Sequence, residues 1–280
     1  MTPDVADRVR DAAGFVFDMD GTIALGDRDS GGHKALPHAI ELLDRLKTRG
    51  TPYVVFTNGT AKPPADYAAS LRNAGFPVDD RQMLTPSSSA ANWLARTGIE
   101  RVRVLGNSGC AAPLVEAGLD VIAPGAKANG VEAVYTGWFR EFTFPDLEAA
   151  CESLWSGARL VTASHVPFFA TATGRGIGSS FAINKMLTAL TGKRPRVLGK
   201  PSRTALDTAL SVMGLPAKAA TDIVVVGDDS ALEMRMANAA GALSIGMATG
   251  IMASDADLPE RDRPAAMLDD LSPLLEAVSR

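Results

Sequence analysis

The sequence predicts an α/β protein: a Rossmann-like, doubly wound parallel sheet core with a second α/β domain inserted into it. Three observations predict this. Short all-apolar runs alternate with amphipathic stretches, as strands buried on both faces alternate with the helices that cover them. Acidic or hydroxyl residues stand at the carboxyl ends of several runs, where open α/β sheets bind ligands. These decorated runs lie only towards the two ends of the chain, and a middle stretch with its own βα pattern separates them.

Taken in order, Gly14 to Phe17 is the first strand. Pro37 to Lys47 sets Ile40, Leu43 and Leu46 at helical spacing, and Gly50 ends that helix. Tyr53 to Phe56 is a second buried strand, followed by a helix from Pro64 to Ala74 that stops at Gly75. In the middle, Val102 to Leu105, Val131 to Tyr135 and Arg159 to Thr162 read as strands, with helices at 110–118 and 145–156. Ala205 to Met213 is helical, Ile223 to Val226 is another all-apolar strand, and a helix over 231–240 leads to a strand from Ala242 to Ile245. The expected division is a core of 1–84 and 192–280 with an insertion of 85–191. The polar stretches Gly26 to Lys34 and 254–264 read as loops, the first as a flap or a plain surface loop.

The 280 residues suit one large domain or two modest ones, and 46% hydrophobic with 21% charged residues gives an ordinary globular composition. A net charge of −4 leaves no electrostatic footprint for nucleic acid or an anionic membrane. Met1 to Asp11 is too acidic and polar for a secretory signal, and no run approaches the roughly 18 apolar residues of a membrane span. A cytoplasmic protein is expected, as a monomer or homodimer. Cys110 and Cys151 form no CxxC or Cys/His cluster, so they are expected as small buried hydrophobes rather than zinc ligands.

Four short segments carry chemistry. Asp18 and Asp20 end the first strand, and Gly21 lets the chain turn away at once. One carboxylate can attack phosphorus, and a second can protonate the leaving oxygen and later activate water. Thr57, Asn58 and Gly59 end the second strand, where a hydroxyl and free N–H groups can hold phosphoryl oxygens. Gly199-Lys200-Pro201-Ser202 brings a lysine that can neutralise charge on nucleophile and phosphate, with Ser202 as the cap of the next helix. Gly227-Asp228-Asp229 and Glu233 supply acids that suit Mg²⁺, with Asp228 the leading ligand. Each segment alone also fits a turn or a helix cap; their joint order favours the chemical reading.

Phe17-Asp18-Met19-Asp20-Gly21-Thr22, Thr57, Lys200 and Gly227-Asp228 with Glu233 together resemble the four motifs of the haloacid dehalogenase-like hydrolases. Val55 to Gly59, Gly137 to Phe144, Gly176 to Ser179 and Gly199 to Ser202 resemble class IIA, the nitrophenylphosphatase-like branch with an α/β cap between the second and third motifs. The resemblance covers nearly the whole chain. It implies an inserted cap domain, Asp18 as nucleophile and Mg²⁺ ligand, and Asp20 as general acid/base that lends its backbone carbonyl to the metal. It also implies Thr57 and Lys200 as holders of the phosphoryl group and Asp228 as the completing ligand. Asp20 separates the chemistries within the superfamily, because an alkoxide leaving group needs a proton and a halide does not.

The cap departs from the family pattern. Phe139 stands where an Asp is common, and Ser164-His165-Val166 stands where Asn-Pro-Asp is common. His165 is a candidate substrate contact, with Arg140 and Arg175 as further cap candidates. The whole reading is a Mg²⁺-dependent phosphatase acting on a small phosphorylated metabolite through an aspartyl-phosphate. A phosphotransferase or mutase of the same superfamily, and a phosphate-ester-binding protein without turnover, stand as alternatives.

Overall fold

The computed structural model describes residues 1–26, 32–171, 174–252 and 258–280. The chain divides into two compact units. One contains 1–57, 65–84 and 206–280, and the other contains 58–64 and 85–205. Among the described residues no helix is long and apolar enough to cross a membrane.

The first unit is built on a six-stranded sheet. In chain order its strands are Gly14–Phe17, Tyr53–Phe56, Met83–Leu84, Ile223–Gly227, Leu243–Met247 and Ala266–Leu268. All pair in parallel, and the sheet order is 3-2-1-4-5-6. The four residues of Gly14–Phe17 and the four of Tyr53–Phe56 are buried without alternation, as a strand covered on both faces requires. Phe15, Phe17, Val55 and Val224 join one apolar cluster with Leu42, Leu43 and Leu46 of the helix Ala39–Arg49. Val16, Val54 and Val225 are equally buried through the alternation of the pleat on the other face.

The same cluster takes in an element that the sequence reading missed. The helix Pro3–Arg10 buries Val5 and Val9 in it, with Ala6 packed against its edge, and they join Leu274, Ala277 and Val278 of the helix Ser272–Ser279. Arg49 ties the ends together: its guanidinium donates to the carbonyls of Val278 at 2.8 Å and Arg10 at 2.9 Å. Those carbonyls lie in the last turns of their helices, where intrahelical partners run out.

The second unit has its own five-stranded sheet. Its strands in chain order are Arg101–Leu105, Asp120–Ile122, Ala133–Thr136, Arg159–Thr162 and Arg196–Val197, all parallel. Helices Pro86–Arg96, Ser108–Glu116, Phe144–Trp155 and Ser179–Thr191 accompany it. The core was expected to resume at residue 192. Arg196 and Val197 pair with Val161 and Thr162, the Leu198 and Gly199 N–H groups extend that bonding, and the second unit runs to Ala205. Arg103, 2% exposed within the first of these strands, spreads its guanidinium over the carbonyls of Ala123, Pro124 and Ala126 and the hydroxyl of Ser153.

Two antiparallel pairs add to the sheets: Ala24–Gly26 with His33–Ala35, and Phe168–Thr171 with Gly174–Ile177. The expected loop from Gly26 to Lys34 thus has strand residues at both ends, and its centre, 27–31, lies outside the described residues. The expected loop at 254–264 includes a 3₁₀ turn at Glu260–Asp262, and its residues 254–257 lie outside the described residues. The helix expected over 231–240 is two elements, a π-helical turn Ser230–Met234 and the α-helix Arg235–Ala240.

Candidate active site

The strand order of the first unit reverses between Gly14–Phe17 and Ile223–Gly227. Connections leave these two neighbours in opposite directions, which opens a crevice outside their carboxyl ends. Asp18 and Asp228 are the residues that follow these two strands. The Asp18 N–H donates to the Val226 carbonyl at 2.9 Å, continuing the ladder, and leaves the Asp18 side chain 8% exposed at the crevice. The buried Thr22 hydroxyl donates to Asp18 Oδ2 at 3.5 Å. Between them the chain folds back tightly: Gly21 has φ +79°, its N–H donates to the Ala24 carbonyl, and the Ala24 N–H donates to the Met19 carbonyl. A positive φ of this kind suits glycine and explains the Asp-Gly pair.

Asp20 differs from Asp18 in environment. Its side chain is 57% exposed, and Nε2 of His33 lies 4.0 Å from Oδ1. His33 is itself fixed by a 2.8 Å hydrogen bond between Nδ1 and the Ser70 hydroxyl.

Asp228 is 5% exposed and held from several sides. Oδ2 accepts the Ile251 N–H at 2.8 Å, and its carbonyl accepts the Met252 N–H at 2.8 Å. A Cβ on Gly250 would lie 1.8 Å from Oδ2, and one on Gly21 would lie 2.5 Å from the same atom. The carboxylate therefore touches both the loop after Leu243–Met247 and the turn that follows Asp18. Thr249 closes this contact by donating its hydroxyl to the Gly21 carbonyl at 2.5 Å. Sequence reasoning missed the bracing loop Thr249-Gly250-Ile251; its Gly after a buried strand was the available signal. Thr57 follows the adjacent strand Tyr53–Phe56, is 5% exposed, and donates its N–H to Leu84.

Glu233 and Asp229 also have defined places. Glu233 is 1% exposed, and Oε2 accepts the Asp229 N–H at 3.2 Å. Asp229 caps the π-helical turn by accepting the Ala231 N–H at 2.8 Å.

The donor set fits a hard divalent cation. Among the described residues no three His, Cys, Asp or Glu side chains cluster closely enough to hold a metal by themselves. Two near-buried carboxylates, Asp18 and Asp228, at neighbouring strand ends suit an ion that completes its shell with a backbone carbonyl and water, as Mg²⁺ does.

Lys200, Asn58 and Gly59 belong to the second unit. Lys200 is 1% exposed. The Asn58 side-chain amide binds its backbone twice: Oδ1 accepts the Lys200 N–H and Nδ2 donates to the Lys200 carbonyl, each at 3.0 Å. Ser202 caps the helix Arg203–Val212 by accepting the Ala205 N–H at 3.1 Å. Two cap candidates follow strands of the second sheet. Arg140 comes after Ala133–Thr136 and lies 5.7 Å from the Trp138 ring centre, and exposed His165 comes after Arg159–Thr162 and packs edge-on with Phe181, ring centroids 5.1 Å apart. Arg175, on the hairpin, lies 5.9 Å from the Phe168 ring. Cys110 and Cys151 are buried free thiols, and burial pushes both up from the usual thiol range.

Two family models match the chain: haloacid dehalogenase-like hydrolase over residues 15–120, and HAD-hydrolase-like over 197–274. The chain is 25% identical to the 5'-nucleotidase YutF of Bacillus subtilis, over 92% of this chain and 96% of that one. It is 26% identical to an acid sugar phosphatase of Staphylococcus haemolyticus, over 92% and 94%. Among solved structures, a p-nitrophenyl phosphatase from Archaeoglobus fulgidus superposes with TM-score 0.82 at 25% identity, covering 95% of this chain and 99% of that one. A glycerol phosphate phosphatase from Mycobacterium tuberculosis in complex with magnesium superposes with TM-score 0.81 at 26% identity, covering 96% and 78%. With both family models matched, in the order in which the four motifs occur, the chain belongs to the haloacid dehalogenase-like hydrolases.

Proposed function

We propose that this phosphoric monoester hydrolase releases inorganic phosphate from a small phosphorylated metabolite, with Mg²⁺ bound, through an aspartyl-phosphate on Asp18. The observation that carries the reading is the pair of near-buried carboxylates at the switch point of a 3-2-1-4-5-6 sheet. Magnesium in the complex of one structural neighbour, and the phosphatase names of the relatives, support it.

In this mechanism an Asp18 carboxylate oxygen attacks phosphorus while the ester P–O bond breaks. Asp20, exposed enough to exchange protons, gives its proton to the departing alkoxide. It then takes a proton from water, which attacks the same phosphorus and returns Asp18 as a free carboxylate. Thr57 and Lys200 hold the phosphoryl oxygens, and the lysine offsets charge that builds up in the transition state. Asp18, the Asp20 carbonyl and Asp228 would hold Mg²⁺, which supplies Lewis-acid neutralisation of the phosphoryl oxygens. The insertion expected over 85–191 acts as the cap, with Arg140, His165 and Arg175 as candidates for contact with the leaving group.

The test is hydrolysis of p-nitrophenyl phosphate. Asp18→Asn is expected to lose at least about 10³-fold in kcat, since the nucleophile is gone while shape is kept. Chelation of divalent cations should abolish wild-type turnover, and added Mg²⁺ should restore it. Full activity of Asp18→Asn would end the reading. Product analysis with alcohol acceptors separates hydrolysis from transfer, since transfer would yield a new phosphate ester.

A further inference from the structure

The expectation for Asn58 beside Thr57 concerned its backbone N–H; its side chain makes a separate contact. Both polar atoms of its amide meet both backbone polar atoms of Lys200, at 3.0 Å each, across 142 positions of sequence. The amide thus imitates a neighbouring strand's backbone at a single residue. The fit is close: a Cβ on Gly199 would lie 2.8 Å from Asn58 Oδ1 and 2.4 Å from the Ala163 carbonyl.

Both ends of this link are anchored within the second unit. On one side, Thr60 Oγ1 accepts the Trp138 N–H at 3.0 Å, and the Ala61 carbonyl accepts from Asn107 Nδ2 at 2.7 Å. On the other, the Leu198 and Gly199 N–H groups donate to the Thr162 and Ala163 carbonyls at 2.9 and 3.1 Å. The Lys200 side chain is almost wholly buried, so small shifts of its backbone move its ammonium group with little freedom to compensate.

We propose that Asn58 is a positioning residue for Lys200: it fixes the lysine's backbone and acts on the phosphoryl group only through that lysine. This rests on the role given to Lys200 under the proposed function. It predicts that removal of Asn58 matters only while Lys200 is present.

The experiment is a double-mutant cycle on the full chain: wild type, Asn58→Ala, Lys200→Ala and the double variant. The readouts are kcat and KM for p-nitrophenyl phosphate and the inhibition constant of orthovanadate, with thermal unfolding of each protein as the folding control. Asn58→Ala is expected to lower kcat/KM by about 10²-fold and to weaken vanadate in parallel. The double variant should match Lys200→Ala within about twofold, because residues that act as a unit are not additive. Multiplicative losses in the double variant would overturn the proposal and leave the phosphatase reading standing. A Lys200→Ala variant with wild-type activity would overturn both. If Asn58→Ala fails to fold, Asn58→Asp replaces it in the cycle. That variant keeps the oxygen for the Lys200 N–H and sets a carboxylate oxygen against the Lys200 carbonyl, so the same non-additivity is expected.

Discussion

Asp228 meets two glycines, and that contact sets what its replacement can test. With Gly250 and Gly21 both against Oδ2, a larger side chain has no room, while Asn fits the same volume. Asp228→Asn keeps an oxygen for the Ile251 N–H and removes one negative charge. The Mg²⁺ concentration for half-maximal turnover should rise by at least about 10-fold, the scale at which even outer-shell changes alter metal affinity. Titration of activity with Mg²⁺ measures this, and an unchanged requirement would remove Asp228 from the metal site. Asp18, Asp20 and Asp228 were legible as candidates because charge at the end of an all-apolar run has few structural excuses. The bond partner of Asn58 was not legible, because no local pattern records a contact made across 142 positions. His33 was invisible for a related reason: its approach to Asp20 depends on a hairpin and on Ser70, which lies 37 positions away.

The π-helical turn Ser230–Met234 is an element with a chemical consequence. Its wider winding turns Glu233 back over Gly227, so that Oε2 reaches the Asp229 N–H. A Cβ on Gly227 would lie 2.3 Å from Glu233 Cγ and 2.8 Å from Oε2. Gly227→Ala must therefore displace Glu233 and strain the stretch that carries Asp228. A loss of about 1–3 kcal/mol of stability is expected, as for overpacking of a full core, together with a fall in kcat. Urea unfolding and steady-state kinetics on one preparation check both, and unchanged kinetics would show that Asp228 is insulated from this turn. The sequence predicts a helix here and misses its winding, since 3.6-residue periodicity cannot register one inserted residue. The short all-apolar strands were legible for the opposite reason: burial on both faces leaves no polar position to confuse the pattern. The helix Pro3–Arg10 was missed because its apolar residues, Val5, Ala6 and Val9, are too few in one short helix to establish a period.

At the scale of the molecule, the acid limb of stability depends on where carboxylates are held ionised. Asp262, with 6% of its side chain exposed, receives a forked pair of bonds from Arg235 at 2.8 and 2.7 Å. This pair joins the helix Arg235–Ala240, which continues from the π-helical turn, to the 3₁₀ turn that leads into the sheet's last strand. Hydrogen bonding from Arg235 holds the Asp262 carboxyl below its ordinary value of 3.8, and burial opposes this only in part. The folded chain therefore releases this proton at lower pH than the unfolded chain does. The stabilisation is complete above the unfolded value and is lost as pH falls through the window beneath it. Asp262→Asn keeps the shape and removes the charge. It should destabilise the protein by about 0.5–1.5 kcal/mol at pH 7, the worth of a charge-assisted bond discounted for a guanidinium that is partly exposed to water. The gap from wild type should narrow as pH falls from 5 to 3, because wild type then loses what the variant never had. Urea unfolding of both proteins at pH 7, 5, 4 and 3 provides the comparison. A gap that stays constant over that range would mean that Arg235 and Asp262 contribute through packing and neutral hydrogen bonds, with no part played by the ionised carboxylate.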